Sequence, residues 1–176
     1  MKQSLFSQYK EAIANFTDVK DRDNLLVKDC SGQRIYYAPF DYVNPKAKLF
    51  VIGITPGEQQ MENMLIEAKR LIRLGLSDEE IQKKCKPIGS FSGGMRKNLV
   101  TMMDHIGLAD YLGIESTAGL FDKHVDLGNL TSAIRYPTFL IQDGKETNFG
   151  NDIKPKSSLF SFAAPLTIEE PEFPLI

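Results

Sequence analysis

The 176-residue chain has no tryptophan, two histidines and two cysteines. Cys30 and Cys85 form no CxxC pair and suggest no disulfide framework, so a reducing compartment is expected. The longest apolar run is Leu49–Ile52, far short of a membrane span. Behind Met1-Lys2-Gln3-Ser4 there is no long apolar stretch of the kind that marks a secretory signal. These absences point to the cytoplasm and to no membrane partner. Charge is also scarce in net terms. The formal value is −2, which supports no broad nucleic-acid footprint. A few lysines and backbone amides are still enough to hold phosphates locally. No GK[ST] follows a glycine-rich loop, and there is no GxGxxG and no internal repeat. His105 and His124 lack the partners of a metal site, and no cofactor is indicated.

An apolar fraction of 42% and a Phe-rich aromatic set (11 Phe, 6 Tyr) are ample for one buried core. The periodicity predicts a helix over 5–17, with Leu5, Tyr9, Ala12, Ile13 and Phe16 on one face. Short strands are expected at 25–27 and 34–37, joined as an edge hairpin. Leu49-Phe50-Val51-Ile52 is the clearest strand, and its continuous apolar character predicts a sheet covered on both faces. Helices follow at 60–74 and from Ser77, whose Glu80 completes a capping box; the second fades near 85–87. After a loop at 88–94, a helix over 95–106 is expected to turn Leu99, Met102, Met103 and Ile106 inward. A helical turn over 110–113, a strand over 127–131, and a strand or loop over 136–141 ending in an Asp143-Gly144 turn complete the pattern. Prolines at 155, 165, 171 and 174 break up the segment from 145 to 176, which is expected to be irregular. The whole predicts a single three-layer α/β/α domain over 1–176 with a central, mostly parallel sheet.

In such folds ligands bind beyond the carboxyl ends of the strands. Gly53-Ile54-Thr55-Pro56-Gly57 lies at such an end. Gly53 lets a ligand or the chain approach closely, Pro56 fixes the turn, and the amides near Gly57 and Glu58 are candidates to face an anion.

Leu49 to Gly57 resembles the first motif of the uracil-DNA glycosylase superfamily, which in some branches reads Gly-x-Asn-Pro-Gly. Phe91-Ser92-Gly93-Gly94-Met95-Arg96-Lys97-Asn98-Leu99, followed by Ile106-Gly107-Leu108, is similar to its Phe-x-Gly stretch, helix and Ile-Gly-Leu. Asn129-Leu130-Thr131, after Asp126-Leu127, resembles the strand-end segment that carries its pyrimidine-reading Asn. The resemblance covers about residues 45–135 and suggests a divergent or truncated member. It implies hydrolysis of the N-glycosidic bond of a damaged base in DNA, with DNA or a nucleobase as partner. Gly53, Ile54, Pro56 and Gly57 would then shape the base site, Phe91 would stack on the base and Asn129 would read its edge. Thr55 and Glu58 would carry the water chemistry, and Arg96 and Lys97 would contact phosphate. Thr55 stands where the family often has Asp or Asn, and no His-Pro-Ser-like loop follows. Two alternatives therefore stay open: a catalytically inactive nucleobase- or nucleic-acid-binding module of the same fold, and a protein-interaction domain.

Overall fold

Two hydrophobic clusters organise the computed structural model, which describes residues 4–20, 22–30 and 32–148. The larger is built by three helices, α1 (Leu5–Asn15), α2 (Glu58–Arg73) and α3 (Asp78–Gly89). Their stripes are those of the sequence pattern: Phe6 and Ile13 from α1, and Met61, Met64, Leu65, Ala68 and Leu71 from α2. Ser4 caps α1 through Ser7 N–H, and Ser77 and Glu80 form the expected capping box on α3. These helices pack on residues of β2 (Gln33–Tyr36) and β5 (Thr138–Gln142). The second cluster joins α4 (Gly94–His105), α5 (Leu108–Leu112) and a 3-10 turn at Thr117–Phe121 to the strands β3 (Leu49–Gly53) and β4 (Gly128–Ser132).

The class is α/β, with helices packed against strands, but the sheet is not mostly parallel. Among the described residues β3 and β4 form one parallel pair. β1 (Leu26–Cys30), β2, β5 and β6 (Lys145–Asn148) form an antiparallel sheet in that order. The reason is connectivity. β1–β2 and β5–β6 are hairpins, and only antiparallel strands can be joined by so short a turn. Asp143 and Gly144 both have positive φ (50° and 73°), as a two-residue hairpin turn of the primed type requires. The strand at 145–148 also corrects the irregular reading of 145–176 at its start. The remainder, 149–176, lies outside the described residues.

Three further expectations need correction. β3 is not covered on both faces: Leu49 and Val51 join the second cluster, while Phe50 and Ile52 point outward and Ile52 is 51% exposed. An apolar run does not by itself tell a two-sided strand from a one-sided one. α3 continues past Pro87 to Gly89, because Ser90 N–H and Oγ both bond Lys86 O and Arg96 takes up carbonyls at the helix end. α4 turns inward through Leu99, Val100 and Met103, leaving Met102 and Ile106 60% and 70% exposed. At 100° per residue Met102 lies well off a face centred between 99 and 103, and Ile106 is the C-cap residue, beyond the last helical residue His105.

Candidate functional site

The loop after β3 is built as an extension of the parallel pair. Ala133 N–H donates to Gly53 O at 2.9 Å, and Ile134 N–H donates to Ile54 O at 2.8 Å. The next rung comes from a side chain: Thr55 Oγ1 donates to Tyr136 O at 2.9 Å. Thr55 is 8% exposed, so its hydroxyl is committed to this rung. The chain then enters α2. Gln60 Oε1 accepts the Gly57 N–H at 2.8 Å, so that amide does not face an anion.

Beside this loop lies a cavity of about 440 Å³, within the range of small-molecule sites. Of the residues expected there, Gly53, Ile54, Thr55, Gly57, Glu58 and Phe91 line it, and Pro56 does not. Phe91 forms one wall with its backbone at φ 50°, a conformation a bulky residue adopts only at a cost of about 1–3 kcal/mol. A Cβ added at Gly53 would sit 3.3 Å from Phe91 Cε1 and 3.5 Å from Ser132 Oγ. Glycine is therefore what lets the Phe91 ring lie against the strand end.

Glu58 opens α2 at the cavity rim, and its Oε1 accepts from Arg22 Nη1 at 2.6 Å. Arg22 also bonds Glu146, whose Oε1 accepts from Arg34 Nη1 at 2.7 Å and from the Tyr36 hydroxyl at 2.8 Å. The Arg22 guanidinium lies 4.2 Å from the Phe139 ring centre. Burial pushes the Glu146 carboxyl up, but the bonds from Arg22, Tyr36 and Arg34 outweigh it and hold its pKa below the ordinary value. The network fixes one oxygen of Glu58 and leaves the side chain half-exposed at the cavity.

The remaining nominated residues do not converge there. Register pairs Asn129 with Phe50, whereas Ser132 pairs with Gly53. Asn129 thus sits at the opposite end of the strands, 3% exposed, with Oδ1 accepting the Asn44 N–H at 3.3 Å. Arg96 donates to Pro87 O, Ile88 O and Ser90 O at 2.7–3.0 Å and stacks 4.4 Å from the Phe121 ring centre. Burial lowers its pKa. It is a tie between α3 and α4 and not a phosphate contact. Lys97 is exposed and outside the cavity lining. Thr131, Ser132, Phe40, Gln60 and Met95 line the cavity without having been singled out. Ser132 was within reach of sequence reasoning: extending the second inner strand by one residue brings it level with Gly53. Among the described residues no group of three His, Cys, Asp or Glu side chains is placed to hold a metal ion. No helix there is long and apolar enough to cross a membrane.

The chain is similar to the uncharacterized protein YoxB of Bacillus subtilis (strain 168), with 39% identity over 109 residues. The match covers 61% of this chain and 43% of that protein, so the chain spans less than half the length of this curated relative. No family model matches, and no solved structure matches.

Proposed function

We propose that the chain is a uracil-DNA glycosylase-like protein that holds a nucleobase, or a nucleotide turned out of a nucleic-acid strand, in the cavity beside residues 53–57. The observation that carries this reading is Phe91. Its ring forms the wall of a cavity sized for a small ligand, against a glycine at a strand end, on a strained backbone. Strain of this kind gathers at ligand sites, and an aromatic face supplies stacking worth about 1–3 kcal/mol per base. Ser132 and Thr131 offer hydroxyls beside it, and Ile54 and Met95 offer apolar edges.

Hydrolysis is the second reading, and Glu58 favours it. In that reaction a water oxygen bonds C1′ as the C1′–N bond breaks, Glu58 takes the water proton, and the base leaves with the bonding electron pair as its anion, to be protonated by solvent. Thr55 does not serve as the base, because its hydroxyl proton is already donated to Tyr136 O.

The test is binding of uracil to the full chain, followed by incubation with uracil- and hypoxanthine-containing oligonucleotides, single- and double-stranded. Base binding predicts uracil affinity lost in Phe91→Ala and no free base released. Free base released by the parent chain and lost in Glu58→Gln selects hydrolysis. No uracil binding and no base release contradict both.

A further inference from the structure

A second cavity, of about 320 Å³, lies at the other end of the β3–β4 pair, where β4 begins. Leu120, Val125 and Leu130 give it an apolar floor. Its polar lining is cationic, with Lys46, Lys83 and Lys86 against one carboxylate, Asp126. Lys86 is buried and occupied, since its Nζ donates to Tyr42 O and lies 5.1 Å from the Phe40 ring centre. Lys46 and Lys83 are exposed and enter no ion pair among the described residues.

The informative residue is Asn129. It is almost wholly buried on the cavity wall, and its Oδ1 is held by the Asn44 N–H. That bond leaves its amide nitrogen as a donor, and this nitrogen makes no hydrogen bond among the described residues. The residue is buried but this nitrogen is not enclosed, so it opens into the cavity, where a ligand or water can accept from it. The Tyr42 hydroxyl, also on the wall, makes no hydrogen bond among the described residues either. Donors and ammonium groups converge here over an apolar floor, which is the chemistry that recognises an anion on an apolar body.

We propose that this cavity binds a small organic anion. Its apolar body would rest on Leu120, Val125 and Leu130, and its carboxylate or phosphate would accept from Asn129 Nδ2 with Lys46 and Lys83 as counter-charges. The site is independent of the cavity beside Phe91.

The probes are phenyl phosphate, benzoate and the uncharged benzyl alcohol, titrated into the full chain and followed by amide NMR shifts and calorimetry. At least one anion binds, with shifts centred on Asn129, Lys83 and Leu120, and benzyl alcohol binds about tenfold more weakly or worse. Which anion binds separates a phosphate site from a carboxylate site. Lys46→Ala with Lys83→Ala, both at exposed positions, weakens the anion about tenfold or more. Asn129→Asp keeps an acceptor for the Asn44 N–H, replaces the donor by a negative charge and abolishes binding. The proposal is overturned if neither anion binds at millimolar concentration or if benzyl alcohol binds equally. It is also overturned if the lysine pair is without effect, or if the shifts centre on Phe91.

Discussion

The two ends of the β3–β4 pair, Leu49 with Gly128 and Gly53 with Ser132, present different chemistry. At the carboxyl end the backbone itself continues the pairing, rung by rung, into Ala133, Ile134 and Tyr136. The side chains that line the cavity there are two phenylalanine rings, the apolar Ile54 and Met95, small hydroxyls, two glutamines and one carboxylate. At the amino end the Lys48 and Leu49 N–H groups both donate to Leu127 O, the Asn44 side chain and N–H take up the neighbouring acceptors of Asp126, Gly128 and Asn129, and lysines surround the opening. Motif spacing does not say whether a polar side chain serves the backbone or a ligand. Thr55 and Asn129 were nominated for ligand chemistry. Thr55 spends its hydroxyl on the backbone, and Asn129 divides its amide between backbone and cavity.

The comparison breaks first at Asn129. Asn129→Leu removes the acceptor of a buried N–H and is expected to cost about 1–3 kcal/mol in urea unfolding, with Asn129→Asp clearly milder. Equal losses would mean that the Asn44 contact carries little. Arg96→Ala comes next. It frees three carbonyl contacts and a ring face and is expected to cost about 2 kcal/mol, whereas Lys97→Ala stays within about 0.5 kcal/mol. A comparable effect of both on oligonucleotide affinity, with no change in stability, would return Arg96 to a phosphate role.

Thr55→Val keeps the shape and loses one rung. About 1 kcal/mol of stability is the expected loss, with uracil affinity unchanged within about twofold. The smallest effect concerns acid. The folded Glu146 carboxyl titrates below its ordinary value, so its contribution is present above the unfolded pKa of about 4.3 and is lost as pH falls through the folded value. Glu146→Gln should therefore flatten the stability-against-pH curve below about pH 4.3, measured by urea midpoints. A variant that keeps the parent's slope would remove Glu146 from that role.

How much of this was legible in the sequence follows from how local each feature is. The faces of α1 and α2, the Ser77–Glu80 box and the Asp143-Gly144 turn are each decided within about four residues in sequence. Thr55 meets a carbonyl 81 residues away, and Arg22 meets Glu146 at a separation of 124. No periodicity encodes either contact. The antiparallel β2–β5 pairing depends on the same kind of distant register. Within the site, the glycine at 53 and the aromatic at 91 were readable by type. Their mutual contact, which shapes the cavity, was not.

The most direct test of the central claim is the affinity of uracil for the parent chain, Phe91→Ala and Thr55→Val, measured under one set of conditions. A loss of about tenfold or more is expected in Phe91→Ala, and a near-parental value in Thr55→Val. Binding abolished in Thr55→Val but retained in Phe91→Ala would contradict that claim.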